Sequence, residues 1–308
     1  MMNAERSQHA QVFCFGEILW DLLPGGAQPG GAPLNVAYHL NKLGVSSGII
    51  SKVGDDLAGL ELLKLIKQWG IADALIQTDD EYATSEVLVK LNSNKEATYE
   101  ILYPVAWDFI SAGDYTDGQL NTADYFVYGS LSSRNKTTRE TLLALLDNEL
   151  CNVLDINLRE PYVNKQTLQQ LLMKAGIVKF NEAELTRINQ LFGSNYITEH
   201  DKVNFIQDKF QISEVLVTKG GDGAMCYNLN EAYHAKGPKI TVKDTVGSGD
   251  AFLAAFIAGK IAGDNTQNNI NNAAAMGAFI ATQKGGCPEY SRSEFENFKN
   301  QIIPIKTT

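Results

Sequence analysis

Cysteine, histidine pairs, long apolar runs and clustered positive charge are all scarce in this chain, and each scarcity excludes a class of protein. Its four cysteines (Cys14, Cys151, Cys226 and Cys287) lie far apart with no CxxC pair among 308 residues. That excludes a zinc ribbon or a disulfide framework and points to a reducing, cytoplasmic setting. The four histidines (His9, His39, His200 and His234) form no HExxH and no close metal-ligand set. The longest strongly apolar stretch, Ala251 to Ala258, is under half of the roughly 20 residues needed to cross a bilayer, so no membrane segment is expected. Glu5, Arg6 and His9 precede the first apolar run, which is not the basic-then-apolar order of a secretory signal. With 36 acidic against 26 basic residues the formal charge is −10 and no basic cluster stands out. A nucleic-acid backbone would be repelled. A small anion such as a nucleotide remains compatible where amide dipoles and a metal ion supply a local positive field.

What the chain does contain is 44% apolar residues, ample for a large α/β core. Short β-rich runs alternate with helical patterns: "QVFCFGE", "PLNVAYHLNKLG", "SGIISKVG", "LAGLELLKLIKQWG" and "ADALIQ", then "DYFVYGS", "CNVLDIN", "GIVKFN" and "EVLVTKG". Over Pro33 to Gly44 the apolar residues Val36, Ala37, Leu40 and Leu43 recur at helical spacing, with proline at the start and glycine at the stop. Repeated βαβ units predict a mostly parallel sheet flanked by helices. Two segments break that grammar. Residues 18–24 and 85–103 read as strands and a hairpin, with the turn near Asn92 to Lys95. They predict a small β-sheet lid, spanning approximately 18–30 and 84–104, within a single domain covering 1–308.

In parallel α/β sheets ligands bind beyond the carboxyl ends of the strands, so the loops there are where chemistry is sought. "PGGAPLN" places Gly30 and Gly31 before a helix and Asn35 in its first turn; a polar glycine turn explains it, and so does close approach of a hydroxylated ligand. Asp21, in a lid strand, could accept two hydroxyls or face solvent. "DINLR" alternates Asp155, Asn157 and Arg159 at a strand end. "FNEAE" has Asn181 and Glu184 at capping-box spacing. "TKGGDG", Thr218 to Gly223, fits neither a dinucleotide fingerprint nor a P-loop and suits a hairpin turn. "GVSSG" at 44–48 matches GxSxG, but it follows a helix and precedes a strand, the reverse of a nucleophile elbow. The most specific stretch is "DTVGSGDAF". Its apolar residues Phe252, Leu253, Phe256, Ile257 and Ile261 mark a buried helix face, so Gly247, Ser248, Gly249 and Asp250 lie at the helix N-terminus. Unpaired N–H groups and the helix dipole there make an anion site, although an acidic first-turn residue is also plain helix chemistry.

Taken in order, these motifs resemble the ribokinase-type (PfkB) carbohydrate kinase family, most closely its fructokinase-like members, from Gly16 to Pro288. "GGAPLNVAYHLNKLG" is similar to the family's N-terminal signature and "DTVGSGDAF" to its C-terminal DTxGAGD. The resemblance implies a ribokinase-like fold and ATP-dependent, Mg2+-assisted phosphorylation of a sugar hydroxymethyl group under the lid. It implies that Asp21, Gly31 and Asn35 hold sugar hydroxyls and that Arg159 lies near the sugar or the transferred phosphate. Asn181, Thr218, Gly220, Gly223 and Gly249 would serve the nucleotide, and Glu184 would serve Mg2+ through water. Gly247, Ser248 and Gly249 would form the anion hole, with Asp250 as base. Asp244, Val246 and Gly285 are candidates for a monovalent cation such as K+. Ser248 stands where the family usually has alanine, and Ala274 where some relatives have a polar residue near adenine. Fructose is the expected sugar. Kinases of 2-keto-3-deoxygluconate or ribose, and a non-catalytic sugar sensor on the same fold, are the alternatives. A lid with an apolar face would suit a homodimer.

Overall fold

The computed structural model describes residues 11–302 apart from 24, 92–96, 115–119, 121–122, 148–149 and 230, so the expected turn near Asn92 to Lys95 lies outside the described residues. The chain runs β1 (Val12–Phe15), β2 (Leu19–Leu23), β3 (Gly26–Gly30), α1 (Ala32–Lys42), β4 (Ser47–Gly54), α2 (Leu57–Gln68), β5 (Ala72–Asp79), β6 (Ser85–Leu91) and β7 (Ala97–Ile101). There follow β8 (Tyr125–Gly129), α3 (Lys136–Leu145), β9 (Cys151–Asp155), α4 (Lys165–Met173), β10 (Ile177–Asn181), α5 (Glu182–Leu191) and α6 (Glu199–Phe210). The last elements are β11 (Glu214–Thr218), β12 (Gly223–Asn228), β13 (Ala232–Lys236), α7 (Ser248–Ala262), α8 (Thr266–Ala281) and α9 (Arg292–Ile302).

Among the described residues a nine-stranded sheet has the order β13-β12-β11-β10-β9-β8-β1-β4-β5. Every pairing from β11 to β5 is parallel, and the two pairings at one edge, β11 with β12 and β12 with β13, are antiparallel. The pleat sends alternate residues to opposite faces. Val12 and Cys14 of β1 therefore join the core under α1, α7 and α8, while Phe13 and Phe15 join the one on the other face. From β1 the chain goes first to β4 on one side and later returns to β8 on the other. That reversal of strand order is where an open α/β sheet leaves a crevice beyond its carboxyl edge. The expected lid is the separate four-stranded sheet β3-β2-β6-β7, with β2 and β6 parallel at its centre.

One helix differs from its predicted pattern. The apolar positions of α7 lead one to expect a single buried face, but Ala251 to Ile257 are all buried. The helix is wedged between α1, α8 and the sheet, and a helix apolar all round is one enclosed on all sides.

Helix starts distinguish the site from the scaffold. Side chains cap α2 (Asp56), α4 (Asn164), α5 (Asn181), α6 (Thr198) and α8 (Asn265), each accepting a first-turn N–H. By contrast α1 and α7 begin at Gly31 (φ 109°) and Gly247 (φ 75°), with no side-chain cap. Only glycine holds such angles without strain. Both uncapped ends open on the same crevice.

Candidate active site

The crevice is a cleft of about 1430 Å3 between the carboxyl edge of the large sheet and the lid. Single-ligand pockets span roughly 300–1,000 Å3, so there is room for two ligands side by side. The lid side contributes Asp21, Gln28, Val87, Ile101 and Tyr103; the sheet side contributes Asp155, Asn157, Arg159, Lys179, Asn181, Glu184 and Thr218. Gly247, Gly249 and Asp250 close the floor at the start of α7.

Asp250 is tied directly to α1, because Asn35 Nδ2 donates to its Oδ2 at 2.7 Å. Burial pushes Asp250 up to about 6, with the Asp155 charge adding to the rise and Lys179, the Asn35 hydrogen bond and Arg159 opposing it. A carboxylate with that affinity for a proton is matched to taking one near neutral pH. Asp21 is pushed up to about 6 by burial, and Arg159 restrains the rise. Glu17, 3% exposed just after β1, is pushed up to about 7 by burial, and its Oε2 has no hydrogen-bond partner.

The rest of α1 holds the far wall. Along one helical stripe Asn35 Oδ1 accepts from the Cys287 thiol at 3.2 Å, Tyr38 donates to the Pro288 carbonyl at 2.6 Å, and Lys42 pairs with Glu289. His39 Nε2 lies 2.9 Å from the Gly286 carbonyl, which can only accept, so the proton is on Nε2 and the Tyr290 hydroxyl donates to Nδ1. Burial lowers His39 to about 4, so it stays neutral. The held loop matters because a Cβ at Gly247 would lie 2.6 Å from Gly286 Cα, and one at Gly286 would strike the Asn35 amide. Asp244 ties in the same loop, accepting from Val246 N and Gly285 N.

Most of the residues singled out in the sequence converge here: Asp21, Gly31, Asn35, Arg159, Asn181, Glu184, Thr218, Asp244, Val246, Gly247, Gly249, Asp250 and Gly285 line the cleft. Asn181 and Glu184 form the capping box that their spacing predicts, and Glu184 Oε1 also accepts from Leu158 N, fastening the "DINLR" loop to α5. Three residues are placed elsewhere. Ser248 turns from the cleft: its N–H goes to the Thr245 carbonyl at 3.2 Å and its Oγ is buried without a partner. Gly247 and Gly249, on either side of it, line the cleft at the uncapped start of α7. Gly223 sits between strands, where a Cβ would lie 2.0 Å from the Ala235 carbonyl, so its missing side chain serves the sheet. Gly220 (φ 54°) opens the short 3-10 turn between β11 and β12, outside the cleft lining.

Residues 25–291 match the family described as "pfkB family carbohydrate kinase". The chain belongs to that family. It is 29% identical to a fructokinase of Escherichia coli, across 94% of this chain and 99% of that one. An aminoimidazole riboside kinase of Salmonella typhimurium is 25% identical, across 89% and 90%. A fructokinase from Vibrio cholerae, solved with fructose, ADP and calcium bound, superposes with a TM-score of 0.79 at 25% identity, covering 95% of this chain and 99% of its own. The fold is ribokinase-like, and the enzyme class is a phosphotransferase with an alcohol group of a sugar as acceptor.

Sequence reasoning missed Glu17 and Lys179. Lys179 carried a signal: a lysine in the middle of "IVKFN", where a strand covered on both faces should be apolar.

Proposed function

We propose that the protein is a fructokinase that transfers the γ-phosphoryl group of ATP to the hydroxymethyl oxygen of fructose, giving fructose 6-phosphate. The observation that carries the reading is Asp250: a carboxyl raised to about 6, oriented by Asn35, and standing beside the uncapped amides of Gly247 and Gly249 in a cleft wide enough for two ligands. The E. coli and V. cholerae fructokinases support fructose as the sugar.

In this reading Asp21, Asn35 and the Gly31 backbone hold sugar hydroxyls, and Arg159 faces the sugar or the incoming phosphate. Asp250 takes the hydroxyl proton as the oxygen attacks in line. The Gly247 and Gly249 amides, aided by the α7 dipole, neutralise the phosphoryl oxygens, which is most of what phosphoryl transfer asks of a protein. Asn181, Thr218 and Gly249 face the nucleotide. Mg2+ would be held through water by Glu184, with the Asp155 carboxylate in the same cleft, and would supply positive charge to offset that of the phosphates. The donor set fits an ion that arrives with the nucleotide: among the described residues no group of three acidic, histidine or cysteine side chains forms a cage, while the buried Asp155 Oδ1 lacks a partner and Glu184 spends its oxygens on N–H donors. Asp244, Val246 and Gly285, joined by hydrogen bonds at the edge of the cleft, would supply the oxygens for K+. A homodimer through the lid is part of the proposal, since β3 and β7 are each paired on one side only among the described residues.

The test is a coupled ADP-release assay across fructose, ribose, tagatose, 2-keto-3-deoxygluconate and aminoimidazole riboside. Fructose should give the highest kcat/KM; turnover of ribose or the riboside alone would overturn the assignment.

A further inference from the structure

An ammonium group is seldom buried without a partner and a purpose. Lys179 is 6% exposed in β10, flanked by the core residues Val178 and Phe180. The parallel register of β9 and β10 sets it opposite Asp155, and Nζ donates to Asp155 Oδ2 at 2.6 Å. Burial alone would lower its affinity for a proton, but Asp155, Asp250 and Glu184 outweigh that and hold it above the ordinary lysine value, so the group stays charged. Its location is set by a third element. A Cβ placed on Gly249 would lie 3.2 Å from Nζ, so the ammonium abuts the first turn of α7 beside the Gly249 amide. A buried ion pair is weak evidence of stabilisation, because an apolar pair of the same size often does as well. This one lines the cleft, and Asp155 Oδ1 has no partner, which a purely structural pair would not require.

We propose that Lys179 is a further catalytic residue: its ammonium, held by Asp155 at the rim of the Gly247 and Gly249 amides, contacts the transferred phosphoryl group and offsets the charge that gathers on its oxygens. The inference rests on the phosphoryl-transfer reading above. As the sugar oxygen bonds the γ-phosphorus, the bond from that phosphorus to the β-phosphate oxygen breaks and its electron pair leaves with ADP. The hydroxyl proton goes to Asp250, and Lys179 keeps its own protons throughout, acting as a fixed charge. Asp155 is the positioning residue. It accepts one N–H and directs the remaining donors, whereas a lysine free of it would fold onto Asp250 and quench the base.

The experiment compares the wild-type protein with Lys179→Gln and Lys179→Arg, using fructose, ATP and Mg2+, and measures binding of ADP alone and of ADP with aluminium fluoride in the presence of fructose. Loss of one preorganised donor costs about 10²–10³ in kcat. Lys179→Gln should lose that much while its KM for fructose changes by less than about threefold. Its affinity for ADP with aluminium fluoride should fall by a similar factor to kcat, with ADP alone nearly unaffected, and arginine should restore part of both. A double variant, Asp155→Asn with Lys179→Gln, removes both charges and keeps a hydrogen bond; it should show the same selective loss, and it serves if the single variant does not fold. The proposal is overturned if the neutral variants turn over within threefold of wild type, or if they lose ADP and ADP with aluminium fluoride equally, as a structural role would have it. Absence of sugar phosphorylation by the wild type overturns the underlying reading and this inference with it; normal wild-type turnover with an indifferent Lys179 overturns the inference alone.

Discussion

Replacing Asp250 by asparagine should stabilise the protein while disabling it. In the folded state burial raises this carboxyl from its ordinary 3.8 to about 6, so at neutral pH folding must hold it ionised against that preference. A rise of about two units at roughly 1.4 kcal/mol each bounds the cost near 3 kcal/mol; the side chain lines the open cleft, where solvent screening removes part of it and leaves about 1–3 kcal/mol. The sign follows from the direction. A carboxyl whose folded value exceeds its unfolded one costs stability above the folded value, and that cost fades as pH falls through about 6 and is gone below about 4. Asparagine removes it, fits the same space, and still offers an oxygen to Asn35 Nδ2. In a chain of this size a gain of 1–3 kcal/mol raises the melting temperature by roughly 2–6 °C. Thermal unfolding of Asp250→Asn and wild type at pH 7.5 and at pH 4.5 tests this, with the difference expected to shrink at the lower pH. Turnover should fall by about 10²–10⁴ through loss of the base. A variant no more stable than wild type at pH 7.5, or equally displaced at both pH values, would refute the electrostatic argument; near-normal turnover would remove Asp250 from the chemistry.

The same carboxyl predicts an acid limb in which kcat/KM falls about tenfold per pH unit below about 6, measured from pH 4.5 to 8; a profile flat down to pH 5 contradicts the raised value. Gly31→Ala should weaken sugar binding at least about tenfold with the fold retained, because φ is 109° and the new Cβ would lie 2.3 Å from the Glu17 carbonyl oxygen; titration calorimetry with fructose reads the loss, and unchanged affinity would mean that the backbone there tolerates a shift. Arg134→Met should cost about 3–5 kcal/mol, or roughly 6–10 °C in melting temperature, since it strands Asp108 (0% exposed), now bonded through Arg134 Nε and Nη2. Adding Asp108→Leu should recover most of that loss, and a single variant as stable as wild type would show that the pair contributes nothing.

The scaffold was legible because its elements announce themselves locally. The α1 pattern from Pro33 to Gly44, the apolar strands with polar ends, and the helix-free segments that build the lid all follow from period and punctuation over ten or so residues. The site was legible where its chemistry is contiguous, as in "GSGD" and "NEAE", and at isolated positions such as Asp21 and Arg159 only through the family resemblance. Two kinds of fact escaped. Register between strands distant in sequence is one: Asp155 and Lys179 become partners only because β9 and β10 pair in parallel with those two residues opposed. Backbone direction is the other. Spacing could not say that Ser248 gives its amide to Thr245 while Gly249 next to it lines the cleft, nor that Gly223 is glycine because β13 passes 2.0 Å from where its Cβ would be.

Capping chemistry ties scaffold and site together. A helix start without an acceptor leaves first-turn N–H groups unpaired, a cost that Asp56, Asn164, Asn181, Thr198 and Asn265 remove elsewhere in this fold. The two helices that forgo this remedy begin with glycine at positive φ, face one cleft, and are joined by the Asn35–Asp250 hydrogen bond. Stability is thus given up at the point where an anionic ligand would restore it. The stripe Asn35, Tyr38, His39 and Lys42 compensates by gripping residues 286–289, so that α1 holds the loop against which Gly247 must pack. That division of labour requires the amide-lined end of α7 to be rigid before any ligand arrives, as preorganised charge stabilisation demands.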